Sequence, residues 1–148
     1  DHAESNEKMI LSSLGADIAN IRFESWHTSE DSGIAAANYE KKLIQQLGTP
    51  PSLDLVLLGM GTDGHTASLF PGTEALHESS RFAVSNVVPQ LNATRVTLTF
   101  PALKIAQETW FLVKGADKSS MVERLLKRDP TIPSACVEAE NQHLYWWK

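Results

Sequence analysis

Apolar and polar positions follow two rhythms along this chain, and the switches between them predict its elements. In "SNEKMILSSLG" Met9, Ile10 and Leu14 recur on one helical face, with Ser5 where an N-cap belongs and Gly15 where a left-handed final residue does. "DIANIRF" reads as a strand. "DSGIAAANYEKKLIQQLG" predicts a longer helix with Ile34, Ala37, Leu43, Ile44 and Leu47 inward, ended by Gly48 and the break at Pro50-Pro51. "LDLVLL" is apolar without regular alternation, the pattern of a central parallel strand covered on both faces.

"RFAVSNVV" and "RVTLTF" have β character, the second with Val96, Leu98 and Phe100 on one face and Thr97 and Thr99 on the other. The six residues "PQLNAT" between them are too few for a parallel crossover, so the pair is expected to be antiparallel and the sheet mixed. "PALKIAQE" reads as helix and "TWFLVKG" as a buried strand. "ADKSSMVERLLKR" reads as an amphipathic helix with Met121, Val122, Leu125 and Leu126 inward, and "HLYWWK" as a terminal strand. Helices alternating with strands, with no internal repeat, predict one α/β domain over residues 1–148. Its expected form is a three-layer α/β/α sandwich with a mixed, mostly parallel sheet.

Composition narrows the partners. A net charge of −5 argues against a nucleic-acid partner, because such binding rests on clustered Lys and Arg that displace phosphate counterions. No stretch approaches the roughly 20 apolar residues of a membrane helix, so no membrane partner is expected either. The single Cys136 rules out an internal disulfide and a cysteine metal cage, and it reads as a small buried apolar residue in a cytoplasmic chain. The sequence opens on Asp1 rather than Met and is expected to be the later part of a longer protein.

Directly after "LDLVLL" comes "GMGTDGHTASLFPG", with Gly59, Gly61 and Gly64 at the spacing of a dinucleotide-binding loop. That reading needs a long helix after the loop and a strand ending in an acidic residue about 20 residues later. Here only "HTASLF" can be helical before Pro71 and Gly72, and no such strand follows, so no cofactor is expected. What remains is a tight loop at the carboxyl end of a central strand, where open α/β sheets bind ligands, carrying Asp63 and His65. Imidazole can take a proton from water near neutral pH. Asp63 stands where it could cap the short helix or orient the His65 ring, and both remain open. The amides from Gly61 to Thr66 are candidates to stabilise charge on a ligand carbonyl. His2, His27, His77 and His143 lack metal-ligand spacing, and no metal site is expected.

"LDLVLLGMGTDGHTASLFPGT" resembles the signature of the 6-phosphogluconolactonases. "RVTLTFPAL" and "GADK" follow in that family's order and approximate spacing, and "DHAESN" is similar to its Asp-x-x-x-Ser-Asn stretch. The resemblance implies hydrolysis of 6-phospho-D-glucono-1,5-lactone to 6-phospho-D-gluconate in the oxidative pentose phosphate pathway. It places His65 as the base that activates water, with Asp63 beside it and Gly61, Gly64 and Thr66 lining the substrate site. Arg95 and Lys118 are nominated to hold the phosphate. It also implies a small-molecule sugar-phosphate lactone as partner, no cofactor, and a monomer. A strained lactone requires a positioned water, a base and an oxyanion donor but no covalent nucleophile, and no Gly-x-Ser-x-Gly elbow occurs here.

If "RFAVSNVV" runs parallel to "LDLVLL", its hairpin brings Arg95 to the rim that holds His65. Lys118 follows "TWFLVKG" at the start of a helix, where the dipole favours an anion. Trp146 and Trp147 are expected to pack on the sheet. The family usually has more chain on the N-terminal side, with a Ser-Gly-Gly loop and an Asp-Glu-Arg motif that this sequence lacks. Two rivals stand beside this reading. A glucosamine-6-phosphate isomerase/deaminase of the same fold typically reaches a glutamate and "NEPG" after the His, where this chain has "TASLFPG". A non-catalytic sugar-phosphate binding fragment predicts binding without turnover.

Overall fold

The computed structural model of the chain describes residues 6–14, 22–26 and 31–148. In chain order these form α1 (Asn6–Leu14), α2 (Ser32–Leu47), β1 (Leu53–Leu58), β2 (Ala83–Val88), β3 (Ala93–Leu98), α3 (Phe100–Lys104), β4 (Ala106–Lys114), α4 (Ser119–Leu126) and β5 (Asn141–Trp147). Strands β1, β4 and β5 pair in parallel in the order β1-β4-β5, while β2 and β3 form an antiparallel hairpin. The chain is therefore α/β with mostly parallel pairing, as its pattern predicts. The hairpin keeps a ladder of its own instead of extending the parallel sheet.

Local chemistry explains most boundaries. Asp31 starts α2 by accepting the amides of Gly33 and Ile34 on Oδ1, and Gly48, at φ 78°, ends it. The inward face differs from the expected one: Ala35 and Ala36 are buried, while Ile34, Ala37 and Ile44 are exposed. The helix lies on the hairpin, where Glu40 accepts the Phe82 amide and the Ser32 and Ser85 hydroxyls meet at 2.8 Å. Alanines permit that close approach. Met9 and Ile10 of α1 are likewise exposed. Ser5, Gly15 and the strand expected over 17–23 lie outside the described residues up to Ile21, and Arg22 and Phe23 are in no strand.

The helix expected over 101–108 stops at Lys104. Its first turn is capped by Thr99, whose hydroxyl oxygen accepts the Ala102 amide, and β1 claims the following residues through Leu53 N–H to Ile105 O and the Leu53–Ala106 pairing. In β3 it is the polar face that is sealed. Thr97 and Thr99 are buried, the former accepting the Ser68 amide at 3.0 Å and the latter donating to Arg81 O. Hydroxyls with partners are tolerated there at little cost.

The core joins Val56, Leu58, Phe111 and Val113 of the sheet to Leu103 of α3 and Val122 and Leu125 of α4, with Leu69, Ile132 and Val137 from the connections. Leu126, expected inward, is exposed. Trp146 packs against this core and donates Nε1–H to Gly115 O, whereas Trp147 lies on the opposite, open face. That face also carries Leu55 and Leu57, exposed by 43% and 56%, so the two-sided cover expected of β1 is met on one side only among the described residues. No helix of the described chain is long and apolar enough to cross a membrane.

A carboxylate clasp leads into the hairpin. Glu78 Oε1 accepts the amides of Ser79, Ser80 and Arg81, and Arg81 Nε meets Oε2 at 2.6 Å. These donors, the Arg81 amide foremost, hold the carboxyl at about 2 against its usual 4.5. A depressed carboxyl stabilises the fold above its unfolded value, and that contribution is lost as pH falls from about 4.5 towards 2. Thermal unfolding at pH 6 and pH 3 is expected to show a smaller acid-induced drop in Tm for Glu78→Gln than for the unmodified chain. Equal drops would mean the clasp is not formed in solution.

Candidate active site

The site is built where β1 ends. Beyond Leu58 the chain turns sharply through Gly59 to Phe70, and parallel pairing sets the end of β4, with Gly115 to Lys118 after it, along the same carboxyl edge. The loop is closed by its own backbone: Gly61 N–H donates to His65 O at 2.9 Å and Gly64 N–H to Gly61 O at 3.1 Å. Gly64, at φ 81°, is the position whose backbone requires glycine, and it lies against Ile132. Its carbonyl accepts the Ser134 amide at 3.0 Å, which ties the loop to the segment after α4.

Asp63 and His65, the two polar residues expected at this loop, are hydrogen-bonded to each other. The His65 amide donates to Asp63 Oδ1 at 3.1 Å, and His65 Nδ1 approaches the same oxygen at 2.6 Å. Partial burial raises the Asp63 carboxyl, but the amide and ring of His65 outweigh it and hold the group below its ordinary value. An ionised carboxylate can only accept, so in the neutral ring Nδ1 carries the proton and Nε2 keeps a lone pair. The ring stacks on Phe70 with centroids 3.9 Å apart.

Three expectations change here. The run "HTASLF" forms no helix; Leu69 N–H closes a turn onto Thr66 O, and Ala67 takes φ 49°, a left-handed value that a helix does not admit. Asp63 thus braces a turn and orients the ring at once. Secondly, three of the six amides from Gly61 to Thr66 are spent on the loop itself, those of Gly61, Gly64 and His65. A loop this tight satisfies its own donors. Thirdly, Thr66, expected along the substrate site, is buried with its hydroxyl on Gly59 O at 2.8 Å, so its side chain straps the loop.

The cations sit differently from one another. Lys118 directly precedes α4 on the carboxyl edge, as its place after β4 predicts. Arg95 lies on the separate hairpin, which shares no ladder with β1. It pairs across the hairpin with Asn86 and shares a face with Thr97, and both of those side chains grip the loop. Asn86 donates to Ser68 O and to the Thr73 hydroxyl, and accepts the Ala75 amide. Among the described residues neither Arg95 nor Lys118 forms an ion pair. Sequence reasoning missed Phe70 and Asn86. Phe70 was legible only as part of the motif, and Asn86 looked like any polar strand position.

Comparisons with known proteins converge on one family. The family model described as glucosamine-6-phosphate isomerases/6-phosphogluconolactonase matches residues 1–146. A 6-phosphogluconolactonase of Chlamydia trachomatis is 46% identical over 84 residues, covering 57% of this chain and 33% of its own. One from a Nostoc species is 34% identical over 156 residues, covering 98% of this chain and 64% of its own. The crystal structure of 6-phosphogluconolactonase from Thermotoga maritima superposes with a TM-score of 0.82 at 27% identity, covering all of this chain and 67% of that one. The matched residues cover 33% and 64% of the length of these two curated relatives, so this chain spans less than two thirds of either.

Proposed function

The chain belongs to the glucosamine-6-phosphate isomerase/6-phosphogluconolactonase family, and from that premise we propose that it carries the hydrolytic site of a 6-phosphogluconolactonase. The observation that carries the reading is the 2.6 Å link between His65 Nδ1 and Asp63, which readies Nε2 as a base at the carboxyl edge of the sheet. Nε2 takes a proton from water as the oxygen attacks C1 of the lactone. The tetrahedral intermediate then collapses with cleavage of the bond from C1 to the ring oxygen, and the imidazolium returns its proton to that oxygen. Such a base contributes about 10²- to 10⁴-fold.

Arg95 and Lys118 receive the 6-phosphate, while Gly61 leaves room for the His65 ring and Gly64 lets the loop close against Ile132. Asp63 holds the tautomer. The run "TASLFPG" after His65 supplies no acidic proton-transfer group, which favours the lactonase over the isomerase/deaminase. The same reading describes a cytoplasmic monomer acting on a small molecule, in keeping with a net charge of −5 that repels nucleic acid.

The product acid ionises, so the test is proton release from freshly prepared 6-phosphogluconolactone in weak buffer. Acceleration over the spontaneous rate is expected, with much less for the unphosphorylated lactone. Ammonia release from glucosamine 6-phosphate, or phosphogluconate binding without acceleration, would overturn the proposal.

A further inference from the structure

Three features meet on the imidazole of His65. Its face stacks on Phe70 with planes inclined 24°. Its Nδ1 edge meets Asp63. Over Gly61, a Cβ would lie 2.2 Å from Nδ1 and 2.3 Å from Cε1. Gly61 does not have the positive φ that would call for glycine, so the backbone there admits a side chain and the ring does not. Phe70 is itself anchored. It is buried, and its carbonyl accepts the Thr73 amide at 3.2 Å and the Thr73 hydroxyl at 2.8 Å, while that hydroxyl accepts Asn86 Nδ2–H at 3.0 Å.

One hydrogen bond fixes a point on an imidazole but not its plane, because the outer torsion of histidine is broad and roughly two-fold. A stacking face on one side and an absent side chain at Gly61 supply what the bond leaves free. We infer that Phe70 is a positioning residue: with Gly61 it forms a slot that fixes the ring plane of His65, so that Asp63 meets Nδ1 and Nε2 alone is presented to water. The kinetic consequence rests on the lactonase reading; the orientation of the ring does not. Phe70 acts through the ring it stacks on, so its loss falls on turnover rather than on substrate binding, as the fraction of rings in the competent orientation drops.

The test compares Phe70→Leu and Phe70→Met, which keep an apolar filler, with Phe70→Tyr, which keeps the ring face. Nitrogen-15 spectra of the His65 side chain are expected to show a single Nδ1–H tautomer in the unmodified chain and in Phe70→Tyr, and averaged nitrogens in the aliphatic variants. In the lactone assay the aliphatic variants are expected to lose about 10-fold in kcat at unchanged KM, with Phe70→Tyr within about twofold of the unmodified chain. The inference is overturned if a folded aliphatic variant keeps both kcat and the single-tautomer spectrum. It is also overturned if the tyrosine variant fails in step with the aliphatic ones. If His65→Ala leaves proton release intact, the lactonase assignment of the base fails, and the spectra still decide the slot.

Discussion

Replacing His65 by alanine is expected to return proton release from 6-phosphogluconolactone to the spontaneous rate, a loss of about 10²- to 10⁴-fold. The magnitude follows from what the side chain supplies. No other imidazole lies in the loop, and a carboxylate such as Asp63, even at its ordinary value, is a poor base for water near neutral pH. Asp63→Asn provides the sharper comparison. An amide at this position can present either its oxygen or its nitrogen to Nδ1, and the second arrangement leaves the proton on Nε2. A fall of about 10²-fold or more is expected, with little change in Tm because the pair is partly exposed. Full activity in Asp63→Asn would mean that the link braces the loop only.

The largest effect on stability is expected at Gly64. An added Cβ would lie 2.7 Å from the Ile132 Cβ, a buried core residue, and would sit on a backbone at φ 81°. Left-handed strain and overpacking together cost about 3 kcal/mol, equivalent to a Tm lower by about 8 °C for a chain of this size. Gly61→Ala, three residues away, should behave in the opposite way. Its Cβ meets the tips of His65 and Asp63, which can swing aside, so thermal unfolding is expected to change by only about 1 kcal/mol while activity falls to the His65→Ala level. Calorimetry and the lactone assay on the two variants separate the glycine that shapes the fold from the one that makes room for the base. Equal destabilisation of both would contradict this division.

The sequence by itself determined a good deal. A run of apolar residues placed β1 at residues 53–58, Asp31 and Gly48 bounded α2, and a six-residue connection forced β2 and β3 to be antiparallel. These are local matters, set by caps, turns and chain length, which act over a few residues. The motif also named Asp63 and His65 before their geometry was known.

Tertiary structure alone decided which faces are sealed and what surrounds the base. Ala35 and Ala36 are buried instead of Ile34 because α2 rests on a hairpin that needs a close approach, and the Thr97–Thr99 face is inward because Ser68 of the loop and Arg81 offer partners to its hydroxyls. The stretch after His65 looked helical until Ala67 took a left-handed turn. Phe70 reaches the His65 ring from five residues downstream, and Asn86 secures that loop from the hairpin. Burial and stacking depend on what another part of the chain brings to the same place, and periodicity along one segment carries no information about its neighbour.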